Sequence, residues 1–202
     1  MKGIVKNTVI ITLITLVAGV LLGLVYEITK DPIAEQNAQA KKEAYEKVFE
    51  DADDFEVVIE TEDADLQAFL ADSGFTAQTI NEAMEAKDAD GNLLGYALTV
   101  TSHEGYGGDI QFTLGVREDG TVNGISFLSI SETAGLGMNA KNDEFKNQYA
   151  DKNVPAFSVT KTGSTQDSEI DAISGATITS NAVTRAVNAG ISAVEYLKGG
   201  NS

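Results

Sequence analysis

Hydroxyl side chains and a glycine crowd the stretch Asp171-Ala-Ile-Ser-Gly-Ala-Thr177-Ile-Thr-Ser180, which runs directly into an apolar-periodic segment. Val183, Val187, Ile191 and Val194, with Ala186 and Ala193 beside them, fall on one face of a helix. Thr179 or Ser180 is then placed to cap it. The first amides of a helix have no partner along the chain, and the helix dipole is positive at that end, so the arrangement suits a phosphate group. Spacing alone describes equally well a hydroxyl-capped turn that binds nothing. Upstream lies Glu132-Thr-Ala-Gly-Leu-Gly137. Gly135 and Gly137 flanking Leu136 let a backbone approach a flat ring, and the leucine adds an apolar contact. Glu132 and Thr133 offer hydrogen-bonding groups for the polar edge of such a ring. Gly105-Tyr-Gly-Gly108, followed by Asp109-Ile110, reads as a bend between two strands, with Tyr106 packing on the core.

Other chemistries are excluded by what is missing. The chain has no cysteine and one histidine, His103. Disulfides, thiolate-held clusters, His-rich metal sites and a hydrolytic triad therefore do not arise, and any redox chemistry must come from an organic cofactor. His103 is expected at the surface. The Asp88-Ala-Asp-Gly-Asn92 stretch lacks the acidic spacing and closing glutamate of a calcium loop, so it is expected to be a turn.

With those residues in view, the run containing Ser174-Gly-Ala-Thr177 resembles the flavinylation motif of the covalent-FMN domains of the Rnf and Na+-translocating NADH:quinone reductase complexes. The resemblance implies FMN attached to Thr177 through a phosphoester, installed by a flavin transferase for which Asp171 opens the recognition motif. Ser174, Gly175 and Ala176 complete the motif. The segment Glu132 to Gly137 resembles the ETPGLG stretch that lines the flavin in the same family, with Ala134 where proline is usual and Ile130 where a histidine often stands. The GYGG stretch resembles that of the Rnf G subunit, with Asp109 where proline is common. Implied in turn are a role as an internal electron carrier, with no substrate site of its own, in a complex that moves electrons from ferredoxin to NAD+ and couples this to Na+ or H+ translocation. Its partners are then the other membrane subunits. Other readings are the C subunit of the quinone reductase, an anchored covalent flavoprotein of another extracytoplasmic electron-transfer chain, and a non-redox scaffold.

The elements that must position these residues begin in a membrane. From Thr8 to Tyr26 no charge interrupts the apolar sequence, enough to cross a hydrocarbon core of roughly 30 Å. Lys2 and Lys6 precede this segment and Glu27 follows it, which places residues 1–7 in the cytoplasm and the bulk of the chain outside the cell membrane. No small-residue cleavage site follows, so a retained anchor is expected rather than a signal peptide. The helix-interior threonines Thr8, Thr12 and Thr15 are expected to bond back to the backbone. Asp31 and Pro32 read as the cap and first residue of a new helix, a stalk spanning 27–49.

The fold expected is α+β: one transmembrane helix and a helical stalk, then one extracytoplasmic FMN-binding domain, 50–202, with an antiparallel sheet. Residues 50–85 read as acidic and irregular, with helical patches at Leu66–Leu70 and Thr79–Met84. Strands are expected at Leu93–Thr101, Ile110–Arg117 and Val122–Ser129, with turns at Asp90-Gly91 and Asp119-Gly120. The net charge of −17 makes nucleic acid an unfit partner and an anionic bilayer surface a repelling one.

Overall fold

A computed structural model describes residues 2–61 and 63–199. Its elements run α1 (Lys2–Val48), β1 (Asp54–Ile59), α2 (Ala64–Asp72), β2 (Gln78–Lys87), β3 (Leu93–Ser102), β4 (Ile110–Arg117) and β5 (Val122–Ile130). A 3-10 turn (Gly137–Lys141) and α3 (Asp143–Lys146) follow, then β6 (Ser158–Thr160), β7 (Glu169–Asp171) and α4 (Thr177–Gly199). The chain divides into two compact units between Ala40 and Lys41.

The first unit is helical and carries a segment long and apolar enough to cross a membrane. Thr8 and Thr15 donate their hydroxyls to the carbonyls of Ile4 and Ile11 at 3.0 and 3.1 Å, which keeps those polar atoms away from lipid. The new helix expected at Asp31-Pro32 is not a separate element, because Pro32 lies inside continuous α1. Proline removes one backbone donor, and the helix-favouring Ala, Gln, Lys and Glu residues beyond it carry the helix onward.

In the second unit β1 to β5 form an antiparallel sheet in sequence order, and β6 and β7 form a parallel pair. Strand alternation gives the sheet two faces. Leu98, Val100, Phe112 and Leu114 point to the face where Ala182, Val183, Ala186, Val187, Ala193 and Val194 of α4 complete the main core. Gly190 permits that contact: a Cβ there would lie 2.2 Å from Leu114 Cδ2. On the opposite face Ala86 and Ala97 pack against Tyr45, Val48 and Phe49. Tyr45 donates its hydroxyl to Glu82 Oε2 at 2.7 Å and accepts from Thr99 Oγ1 at 2.7 Å, while Lys41 reaches the same carboxylate at 2.5 Å. Burial, and secondly the neighbouring Glu82 carboxylate, push the Tyr45 hydroxyl well above its ordinary range.

The helical patch expected at Leu66–Leu70 is α2, capped by Asp63, which accepts from Leu66 N–H at 2.8 Å. The patch expected at Thr79–Met84 is instead strand β2. A register shift between Ile80 and Glu82 brings Ile80 and Ala83, three residues apart, to one face, so the bulge imitates a helical period. Strands β3, β4 and β5 match the expected ranges, with β3 and β5 each one residue longer. The Asp88–Asn92 stretch is a turn, in which Asp88 Oδ1 accepts from the amides of Asp90 and Asn92. Those hydrogen bonds, that of the Asn92 side chain foremost, hold its carboxyl below the usual range.

Candidate functional site: a cleft at the start of α4

The sheet and α4 bring three separated segments together. Gly175, with φ of +74°, turns the chain from β7 into α4, so the helix begins at Thr177 rather than after the later hydroxyls. The expected cap at Thr179 or Ser180 is thereby corrected: both residues are buried in the first turn. Ser180 Oγ works in the other direction, accepting from Ile173 N–H and donating to the Ala176 carbonyl, each at 3.0 Å. This staples the turn to the helix. Ala176 precedes the helix and has no side-chain acceptor to offer its first amides. The amides of Thr177, Ile178 and Thr179 precede the first intrahelical bond, from Ser180 N–H to the Ala176 carbonyl, and retain their demand for an anion.

A cleft of about 570 Å³ opens at this helix start, lined by Tyr106, Glu132, Thr133, Leu136, Gly137 and residues 175–179. That volume falls within the range of cofactor sites. Leu136, Ile178 and Tyr106 expose 42%, 54% and 72% of their surfaces, so the cleft presents apolar walls without a partner. Tyr106 thus does not pack on the core as expected; the bend between β3 and β4 lifts it into solvent. Glu132 is the buried polar wall, its Oε1 accepting from Gly107 N–H at 3.2 Å. Aromatic and aliphatic walls, backbone amides at a helix start and a single carboxylate together suit a flat, polar-edged ring bearing a phosphate.

Of the residues singled out from sequence, Glu132, Thr133, Leu136, Gly137, Gly175, Ala176 and Thr177 line this cleft. Gly135, at φ +75°, shapes the turn in which Leu136 N–H bonds the Thr133 carbonyl at 3.1 Å. Ser174 and Asp171 face an adjacent groove. The Asp171 carboxylate accepts from Ser164 N–H at 2.6 Å and Ser164 Oγ at 3.0 Å, and its own N–H donates to Gln148 Oε1 at 2.6 Å. His103 is at the surface, between Thr79 and Asp109. Sequence reasoning misses Ile178 and Thr179 as cleft residues, although both sit within the same helical turn as Thr177. Among the described residues no group of three His, Cys, Asp or Glu side chains is placed to hold a metal.

The fold and cleft define an α+β domain with a cofactor-sized cleft at a helix start, in a chain whose first helix is long and apolar enough to cross a membrane. Residues 105–192 match the FMN-binding domain family and residues 1–48 match the RnfG N-terminal region. The chain is 32% identical over 200 residues to the G subunit of the Na(+)-translocating ferredoxin:NAD(+) oxidoreductase complex of Acetobacterium woodii, covering 97% of this chain and 94% of that one. It is 32% identical over 198 residues to the G subunit of the proton-translocating ferredoxin:NAD(+) oxidoreductase complex of Clostridium ljungdahlii, covering 98% and 94%. It is 34% identical over 197 residues to the G subunit of the ion-translocating oxidoreductase complex of Methanosarcina acetivorans, covering 97% and 95%. The crystal structure of Shewanella oneidensis NqrC aligns with a TM-score of 0.49 at 19% identity, over 59% of this chain and 58% of that one.

The chain belongs to the family formed by the G subunits of ion-translocating oxidoreductase complexes. It is a membrane-anchored FMN-binding protein with one N-terminal membrane-spanning helix and a C-terminal extracytoplasmic domain. Its family implies an electron-transfer role among the membrane subunits of a larger redox complex.

Proposed function

We propose that this chain carries FMN covalently through a phosphoester to Thr177 and relays electrons within an Rnf-type complex that couples ferredoxin-to-NAD+ electron transfer to Na+ or H+ translocation. The observation that carries this reading is the position of Thr177, half-buried at the mouth of the cleft and first residue of α4. A phosphate joined there would meet the uncapped amides of residues 177–179, while the ring would meet Leu136, Ile178 and Tyr106. Gly137 and Gly175 keep the wall low, and Glu132 and Thr133 would offer hydrogen-bonding groups to the ring's polar edge. When bound, FMN supplies electron transfer in one- or two-electron steps. The protein's part is to hold it, shield one side and set its electrostatic surroundings.

Residues 1–7 are then cytoplasmic, 8–26 span the membrane, 27–49 form the stalk, whose last turns from Lys41 onward pack into the compact domain, and 50–202 form the rest of that extracytoplasmic domain. Asp171, exposed beside Ser174, is the residue a flavin transferase would read. The names of the Acetobacterium woodii and Clostridium ljungdahlii relatives support the ferredoxin and NAD+ assignments.

Peptide mass spectrometry of wild type and Thr177→Ala, each co-expressed with a flavin transferase, tests the attachment. FMN on the peptide containing residues 171–180, absent from the variant, is the expected result. Flavin retained by denatured Thr177→Ala would overturn it.

A further inference from the structure

Two glycine motifs converge on one carboxylate. Glu132 is only 9% exposed, yet it forms part of the cleft wall. A Cβ at Gly105 would lie 2.9 Å from Glu132 Oε1, and one at Gly137 would lie 2.6 Å from Oε2. At Gly107 a Cβ would strike the Ser131 carbonyl at 2.2 Å, and the Gly107 N–H is the donor that fixes Oε1. Gly137 thus leaves room for this group, whereas a Cβ at Gly105 would first strike the Gly108 carbonyl, at 2.1 Å, so the glycines of the loop between β3 and β4 answer to its backbone as well as to Glu132.

Among the described residues no ion pair involves Glu132, and Arg185, which lies beside the same loop, is taken by Glu104 at 3.0 Å. A buried carboxylate without a counter-charge costs stability, and such groups concentrate where a site uses their charge.

We propose that Glu132 sets the electron affinity of the cofactor held in this cleft, its fixed negative charge lowering the cofactor's reduction potential. The inference rests on the reading that FMN occupies the cleft. An electron arriving on the ring adds negative charge beside the carboxylate in surroundings less polar than water, where repulsion is only weakly screened. The oxidised form is favoured, and the reduced carrier gives its electrons up more readily. Net charge near a redox centre is one of the levers by which a protein moves a potential. The electrons come from an external donor; Glu132 contributes charge and no redox equivalents.

The test compares full-length wild type, Glu132→Gln and Glu132→Asp, each co-expressed with a flavin transferase. Bound flavin is titrated spectroelectrochemically, and the unfolding midpoint of the flavin-free forms is measured in parallel. Glu132→Gln keeps the oxygen that accepts from Gly107, removes the charge, and is expected to move the potential positive. Glu132→Asp keeps the charge and is expected to stay closer to wild type. Flavin-free Glu132→Gln is expected to unfold at the same or a higher temperature. Equal potentials in wild type and Glu132→Gln overturn the proposal, as does an equal shift in both variants, which would assign the effect to shape. A flavin-free Glu132→Gln that no longer folds also overturns it, by making Glu132 a structural residue. A wild type without flavin overturns instead the reading that FMN occupies the cleft.

Discussion

Gly137→Ala places one methyl group at the floor of the cleft, where its consequences can be worked out. The added Cβ would lie 2.6 Å from both Glu132 Oε2 and Thr179 Oγ1 and 2.7 Å from Glu132 Cβ. None of these is the free end of a long side chain in open space, since Glu132 and Thr179 are both buried. Something must move by several tenths of an ångström, and the cost expected for such overpacking is about 1–3 kcal/mol. For a chain of this size that corresponds to a fall in unfolding midpoint of roughly 2–4 °C per kcal/mol. The carboxylate is the group most directly displaced, so the visible spectrum of bound flavin should change as well. Gly135→Ala is the matched control. Nothing lies within 4 Å of its added Cβ, but its φ of +75° is unfavourable for alanine, costing roughly 1–2 kcal/mol through the backbone alone. Thermal unfolding of the detergent-solubilised flavin-free proteins, with absorption spectra of the loaded ones, gives both readouts. An unshifted midpoint and spectrum in Gly137→Ala would refute the argument that this glycine exists to clear the cleft floor.

Ser180→Ala leaves the Ile173 N–H without its acceptor and frees the turn from the helix, at a cost of about 1–3 kcal/mol; a denaturation midpoint equal to wild type would count against the staple. Burial drives the hydroxyls of both Tyr45 and Tyr149 upward from their ordinary range. The unfolded chain therefore releases these protons first, so the stability they contribute is complete below about pH 10 and declines above it by roughly 1.4 kcal/mol per pH unit for each tyrosine. The double variant Tyr45→Phe/Tyr149→Phe should show a flatter fall in unfolding midpoint on the alkaline side, and a fall as steep as wild type would contradict this assignment.

Legibility differs with the physical origin of each feature. The meander β3–β5 can be read because its alternation and its Asp-Gly turns are local signals. Strand β2 cannot, since the bulge at Ile80/Glu82 breaks the two-residue period on which recognition depends. Thr177, Gly137 and Leu136 stand in short motifs, whereas the cap assignment fails because Gly175 reverses the chain earlier than hydroxyl spacing suggests. Tyr106 misleads for a related reason: an aromatic residue between glycines looks like core, and only the register of β3 against β4 shows that its loop stands clear of the sheet. Glu132 and Gly137 share one short motif, whereas the approach of Glu132 to Gly105 and Gly107 joins residues from separate loops, and no local pattern encodes it.

The cleft combines two electrostatic features of opposite sign close to the start of α4. At the start of α4 the amides of residues 177–179 have no capping side chain, so a phosphate seated there gains hydrogen bonds and the favourable end of the helix dipole. Beside that same first turn Glu132 offers the ligand a buried negative charge, since one Cβ added at Gly137 would lie 2.6 Å from both Glu132 Oε2 and Thr179 Oγ1. Under the proposed reading the amides would hold the cofactor's phosphate, and the carboxylate would oppose added charge on its ring. An internal carrier needs this combination. Under that reading retention comes from the amides and a raised energy of the reduced state from the carboxylate, so the site would be firmly loaded and still readily discharged. The exposed side chains of Tyr106, Leu136 and Ile178 fit the same reading, because walls open to the surface would let a partner's redox centre come close without the cofactor having to leave.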